Sequence, residues 1–274
     1  MLKLIVIIGK FKKEISVSNK HVVTIDKEKC IGCGLCKKDC VGFNIDIEEG
    51  KAKILSDSCI LCGHCEAICP QGAIKITGYD DEIAEFDEQT RLDPKQLLDA
   101  IKTRRTIRQF TDKKIPEDVI DMIFEAGRMA PTGTNAQGTS YVLLDNKKDE
   151  CEAIAVGMFS RLIKTGKKLT SKLSNMEIDD NFFFKKAPIV IVIFGNDKVS
   201  ASLAAENMAF MAEACGLGVL FSGFFTMCVN MSSKIRKIMG IDKNPKAVTT
   251  LVIGYPAVKY HRTPHRNPLN VKRV

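Results

Sequence analysis

Two different spacings of apolar residues divide this chain. Up to about residue 78 they come in runs of four or five, "VVTID" (22–26), "AKIL" (52–55) and "AIKIT" (73–77), broken by glycine and cysteine. Such short runs predict the strands of a small module. From residue 93 helical periodicity alternates with longer apolar stretches. "DPKQLLDAIKTRR" offers Asp93 as N-cap and Pro94 at the first helical position. "IPEDVIDMIFEAGRMA" is led by Pro116 and puts residues 119, 120, 123 and 124 on one face. "SYVLLD" (140–145), "PIVIVIFG" (188–195) and "AVTTLVIGYP" (247–256) predict strands, and their near-continuous apolar character predicts cover on both faces. "VSASLAAENMAFMAEACGLG" (199–218) predicts a buried central helix ending at Gly216, with Met208 and Met211 as core. Between the two regimes, "YDDEIAEFDEQTRL" (79–92) is acidic and lacks glycine and proline, as a charged linker would. The expected division is an extension over 1–23, a module over 24–78, a linker over 79–92 and a second domain over 93–274.

With 274 residues and 45% apolar content, the chain can bury a substantial core. Its early apolar run, "LKLIVII" (2–8), is too short for a bilayer core of about 30 Å. No small-residue cleavage pattern precedes the lysines of "GKFKKE". Residues 1–20 read as an extra strand or a loosely held extension, and the expected location is the cytoplasm, with no membrane partner.

Eight of the eleven cysteines fall into two sets, 30, 33, 36, 40 and 59, 62, 65, 69, each member of the first recurring 29 residues later. That is an internal repeat with C-x2-C-x2-C-x3-C spacing, and Pro70 closes the second half. Three thiolates two residues apart can wrap one face of an iron–sulfur cube, and glycines 32, 34 and 63 permit the tight backbone. The fourth cysteine of each run reaches the other cube. Cys30, Cys33, Cys36 and Cys69 are therefore expected to hold one [4Fe–4S] cluster, and Cys59, Cys62, Cys65 and Cys40 the second. Structural zinc takes pairs rather than triples, and a disulfide scaffold needs an exported protein. Residues 24–78 resemble a bacterial-type two-cluster ferredoxin domain. Cys151, Cys215 and Cys228 read as structural, and His64 as an exposed spacer with the option of tuning a cluster.

The second domain carries a basic cluster, "RRTIRQF" (104–110), a small-residue loop "APTGTNAQ" (130–137), a run "GLGVLFSGFF" (216–225) and a basic tail within "VIGYPAVKYHRTPHRNP" (252–268). Closely spaced arginines and a hydroxyl offer charge-assisted donors to phosphate and carbonyl oxygens. Taken together, residues 93–270 resemble the nitroreductase family of FMN proteins. The resemblance implies an α+β sandwich, a mixed sheet flanked by helices, in a homodimer with the flavin at the subunit interface. It implies FMN contacts from Arg104, Thr106 and Arg108, with Arg105 contributing backbone or phosphate contacts. From the neighbouring subunit's loop it implies Pro131, Thr132, Gly133 and Asn135. Gln137 precedes glycine here, where the family often has proline and an aromatic residue. Backbone near Leu220, Phe221, Ser222 and Gly223 is implied beside the ring, and Arg266 or Arg262 beside the phosphate. His261 and His265 read as surface residues.

The formal charge is +8. Two clusters with their thiolates add about −4 and a flavin phosphate about −2, so the holoprotein sits near neutrality and no nucleic-acid partner is expected. The sequence contains no G-x-G-x-x-G opening a helix after a strand, no Walker A loop, no HExxH and no G-x-S-x-G. The family binds nicotinamide without a Rossmann fingerprint, so NADH stays open as a donor. The expected activity is that of an FMN-dependent oxidoreductase. A reduced ferredoxin or similar donor feeds the clusters and then FMN, and a small organic acceptor, nitroaromatic or quinone-like, is reduced with no side-chain acid singled out. The stretch 151–187, with Phe182, Phe183 and Phe184, is expected to shape the acceptor pocket. A flavo-iron-sulfur carrier or redox sensor serving a protein partner is the alternative, and a non-redox binder with a vestigial site is a third reading.

Overall fold

The computed structural model describes residues 21–79, 83–85, 90–166, 177–242 and 244–274. The extension expected over residues 1–20 and most of the linker expected over 79–92 lie outside them. Contacts divide the chain into two units. One runs up to Thr90 and includes the short segment Thr132–Ala136; the other comprises Arg91–Pro131 and Gln137–Val274.

The first unit realises the repeat as structure. Strand β1 (Val22–Ile25), helix α1 (Leu35–Asp39) and strand β2 (Ile45–Glu48) recur as β3 (Lys51–Ile54), α2 (His64–Ala67) and β4 (Ile74–Thr77). The strands do not pair within their own halves. β1 pairs antiparallel with β4, and β2 with β3. Left-handed backbone also recurs at the 29-residue offset: Gly32 (φ 67) with Leu61 (φ 54), Gly34 (φ 76) with Gly63 (φ 77), and Phe43 (φ 51) with Gly72 (φ 55). Glycine takes this conformation at little cost, whereas a leucine does not. The core here is small: Cys30, Cys36, Ile45, Ala52, Ala73 and Ile74.

The second unit is an α+β sandwich. Its sheet has the order β5 (Ser140–Leu144), β6 (Ile189–Phe194), β8 (Ala247–Gly254) and β7 (Gly218–Phe221), and the neighbouring strands pair antiparallel. β6 is buried at all six positions, as its unbroken apolar run predicts. One face packs on α4 (Glu117–Arg128) and α6 (Lys198–Ala214) through Ile123, Ile191, Met208 and Leu251. The other packs on α5 (Lys148–Gly166) and α7 (Gly223–Met231) through Phe159, Phe183, Phe184, Phe194 and Phe225. A short α8 (Ser233–Ile238) follows α7. Among the described residues no helix is long and apolar enough to cross a membrane.

Local chemistry sets these boundaries. α3 (Pro94–Thr103) starts where the Asp93 side chain accepts from Gln96 N–H at 2.7 Å, with Pro94 leading. α4 differs slightly from the sequence pattern, because Pro116 is its N-cap rather than its first turn. α6 is capped by Asp197, which accepts from Val199 and Ser200. It ends at left-handed Gly216, where Leu217 N–H donates to Ala212 O and Gly216 N–H to Glu213 O, closing a Schellman turn. That turn delivers the chain directly into β7, the edge strand of the candidate site.

Candidate functional site

In the first unit Cys30, Cys33, Cys36 and Cys69 line one small cavity together with Gly32, Gly34 and Pro70. The fourth thiol of the second run thus stands with the first three of the first run. Backbone amides already point at the sulfurs. Ala52 N–H donates to Cys30 Sγ at 3.3 Å, Leu61 to Cys59 at 3.3 Å, and Ala73 to Cys69 at 3.3 Å. Asn44 donates to Cys40 at 3.4 Å, the counterpart of the Ala73 bond one repeat earlier. The Ala52 N–H holds the Cys30 thiol below its ordinary range, while burial pushes Cys36 up and Cys65 up to about 11. Cys59 and Cys62 lie near enough to Cys65 to raise it further. All eleven cysteines are free thiols. Among the described residues, no three of His, Cys, Asp or Glu converge as ligands for a single metal ion. A four-thiol cavity ringed by amide donors suits a cluster, which spreads its thiolates around a cube and draws hydrogen bonds to sulfur.

Close approach keeps this loop in place. A Cβ on Gly32 would lie 2.1 Å from Gly50 O, so the β2–β3 turn can press directly on the first cysteine loop. His64 is exposed, and its Nδ1 lies 3.2 Å from Cys62 O.

In the second unit the predicted motifs converge in part. Thr106 bridges in parallel to Val219, and Ile107 N–H donates to Val219 O at 3.1 Å, so "RRTIR" runs beside the edge strand β7. The approach is tight: a Cβ on Gly218 would lie 2.3 Å from Ile107 Cγ1. Arg104 sits with its guanidinium 5.9 Å from the Phe221 ring centroid, and Arg105 lies 5.1 Å from that of Tyr260 in the C-terminal tail. Ser222 is buried, with its N–H held by Thr250 O at 2.8 Å. Gly223 opens α7 without a side-chain cap, and a Cβ there would meet no atom within 4 Å. Half-buried arginines, a hydroxyl and an uncapped helix start beside open space form a donor set suited to a phosphate-bearing flavin. Arg108 is exposed beside them.

Other predicted residues lie elsewhere. Thr132, Gly133 and Asn135 are grouped with the cysteine module, where Asn135 Nδ2 donates to Ile60 O at 3.1 Å and to Leu61 O at 2.8 Å. Pro131 is exposed at the end of the preceding segment. Arg262 and Arg266 are exposed in the tail, and Arg266 Nη1 donates to His265 O at 3.1 Å. His261 and His265 are exposed, as read from sequence. Phe183 and Phe184 are not available to an acceptor pocket: at 1% and 0% exposure they are core, packed edge-on against Phe225. Three consecutive aromatics on a turn cannot all face one way, and only Phe182 of the three stays partly accessible, stacked near Phe159 and half-exposed Phe224.

Two charged groups escaped the sequence reading. Arg104 Nε stands 3.8 Å from Glu206 Oε1, and Glu213 lies in the same field. Among the described residues Glu213 Oε1 is buried without a hydrogen-bond partner, and burial pushes this carboxyl up to about 7, opposed by Arg104 and reinforced by Glu206. An acidic pair spaced by seven on a helix otherwise rich in alanine and methionine was the signal for it. On the opposite face of the sheet, Glu152 is buried and accepts from the N–H groups of Phe183 and Phe184 at 2.9 and 2.7 Å, so its role is to hold that turn.

Residues 101–255 match the model of the nitroreductase family, more than half of the chain. The chain belongs to the nitroreductase family. Residues 22–70 match a second model, described as a 4Fe-4S dicluster domain. Among solved structures, a nitroreductase with bound FMN from Bacteroides fragilis is 19% identical and superposes with a TM-score of 0.53, covering 65% of this chain and 99% of that one. An FMN-dependent nitroreductase from Clostridium difficile R20291 is 21% identical with a TM-score of 0.53, over 66% of this chain and all of that one. The cysteine module is similar to part of a component of the ion-translocating oxidoreductase complex of Methanosarcina acetivorans, 42% identical over 57 residues, 21% of this chain and 22% of the relative. This chain is thus a nitroreductase-type oxidoreductase that carries a ferredoxin-type domain ahead of the family fold.

Proposed function

We propose that this nitroreductase-family member takes single electrons from a low-potential donor, a reduced ferredoxin or its equivalent, through two [4Fe–4S] clusters to FMN. The electrons then pass on to a small organic acceptor, nitroaromatic or quinone-like. The observation that carries this reading is the meeting of Cys69 with Cys30, Cys33 and Cys36 in one cavity, on the same polypeptide as the Arg104–Thr106 ledge. When bound, clusters pass electrons singly, whereas FMN accepts them singly and releases them in pairs.

In this reading Cys40, Cys59, Cys62 and Cys65 hold the second cluster by the same crossing, and the amides on Cys30, Cys40, Cys59 and Cys69 stabilise the thiolates. Arg104, Arg105, Thr106 and Arg108 bind phosphate and flavin oxygens, the backbone from Leu220 to Gly223 lies beside the ring, and Arg266 or Arg262 closes over the phosphate. Pro131, Thr132, Gly133 and Asn135 line the flavin of the other subunit in a homodimer. Phe182 and Phe224 offer apolar surface to the acceptor. The protein is assigned to the cytoplasm.

The test is an anaerobic preparation analysed per chain for iron, sulfide and flavin, followed by reduction with a low-potential ferredoxin. About eight irons and one FMN are expected, with the flavin absorbance bleaching after that of the clusters and recovering when a nitroaromatic is added. Flavin that reoxidises rapidly only with a protein partner would point instead to a carrier. A chain that takes up neither cofactor with full iron supply would end the proposal.

A further inference from the structure

Each cysteine loop needs a left-handed residue two positions after its first cysteine. In the first half it is Gly32, whose N–H bonds to the Cys30 sulfur. In the second half it is Leu61, whose N–H donates to Cys59 Sγ at 3.3 Å. The conformation is the same and so is the bond it makes, but only glycine adopts it without strain. A leucine there costs of order 1–3 kcal/mol and persists only when its surroundings over-determine it. What surrounds Leu61 is the segment Thr132–Ala136, which belongs to this unit although it comes from about 70 positions further along the chain. Its Asn135, itself left-handed at φ 55, places one amide nitrogen on two consecutive carbonyls, Ile60 O at 3.1 Å and Leu61 O at 2.8 Å. Two bonds from a single donor group fix the peptide planes on both sides of the strained residue. The first half has a different device at the equivalent place, the backbone of Gly50 pressed against Gly32.

We propose that Asn135 is a positioning residue for the second cysteine loop, its carboxamide holding Leu61 in the left-handed conformation that aims an amide at the Cys59 sulfur. This gives the segment 132–136 a role at the cluster ligands that the family resemblance does not assign, and it rests on the reading of Cys40, Cys59, Cys62 and Cys65 as cluster ligands. Because the donor group is the side-chain NH2, aspartate of nearly the same shape cannot replace it. Because the constraint is a backbone conformation, glycine at 61 makes the clamp dispensable.

The test measures iron release to a ferrous chelator from anaerobic holoprotein, with the reduced clusters followed by electron paramagnetic resonance. Asn135→Ala and Asn135→Asp are each expected to release half of the iron about tenfold faster, the factor corresponding to one non-glycine residue in this region. The other half should leave at the wild-type rate, and the midpoint potential of one cluster signal should shift while the other stays. Leu61→Gly in the Asn135→Ala background should restore both rate and potential. Wild-type release from both Asn135 variants, equal acceleration of both halves, or no rescue by Leu61→Gly would each overturn the clamp. A changed FMN affinity with unaltered cluster signals would overturn it in favour of a flavin contact. Wild-type protein without iron would instead remove the cluster reading on which the clamp rests.

Discussion

The two units of this chain are built on opposite economies of core. In the first, two of the six buried core positions are thiols expected to ligate a cluster, and the rest are two isoleucines and two alanines. In the second, Phe183, Phe184, Phe194 and Phe225, with the isoleucines of β6 and β8, close two layers around a sheet without help from any residue proposed to touch FMN. A module with so little apolar area cannot offset the entropy of ordering its own loops, and it needs a cofactor as structural filling. A domain with aromatic layers can form its fold first and bind the cofactor at its edge. The lesson is that one prosthetic group is part of a core and the other is a guest.

Removing iron is the harshest way to test that contrast. Chelation should take the amides of β1 and β4 from about 5 kcal/mol of opening free energy to near zero, while β6 keeps its protection. Hydrogen exchange read by mass spectrometry distinguishes the two, and equal loss in both units would erase the contrast. Next in size, Phe184→Ala should cost about 3–5 kcal/mol in urea unfolding of the second unit and leave the iron content unchanged. Gly218→Ala, where the new methyl meets Ile107, should cost about 1–3 kcal/mol. It should also weaken FMN binding measured by flavin fluorescence, because the strand bearing Phe221 and the segment bearing Arg104 must separate.

The smallest effect is a pH dependence. Glu213 carries a folded-state value of about 7 against an ordinary 4.5. A carboxyl raised on folding favours the protonated native state, so its contribution is complete below about pH 4.5 and is lost as pH rises through about 7. Glu213→Gln should flatten that slope in denaturation midpoints taken across about pH 5–8; an unchanged slope would assign it to another group. Among the described residues, the charges that act on Glu213 are Arg104 and Glu206. The same substitution therefore sharpens the view of Arg104 as the guanidinium nearest the proposed phosphate.

Much of this was readable in the sequence because it rests on local rules. The cysteine repeat, the Asp93–Pro94 start of α3, the Gly216 stop of α6 and the unbroken apolar run of β6 each follow from neighbours within a few positions. What was missed depends on partners distant in the chain. Gly218–Phe221 carries too little apolar length to announce a strand, and becomes β7 only by pairing with Val252 and Leu251 of β8. Ile45–Glu48 reads as mixed polarity, and is β2 because Ile54 and Ala52 lie opposite. Phe183 and Phe184 point inward because Glu152, about thirty positions earlier, takes their amides. Asn135 was read as a flavin neighbour from its motif alone, and nothing in that motif foretells the carbonyls of Ile60 and Leu61.

The exchange of partners between the halves of the repeat, β1 with β4 and β2 with β3, has a practical outcome. Neither half owns a complete pair of strands, so neither can survive as a separate peptide. Yet a nick at the Glu49–Gly50 turn severs no ladder bond between them, and two fragments cut there would be drawn back together by both ribbons at once. The module is in effect a heterodimer written as one sentence, and it can be split and rejoined at its comma.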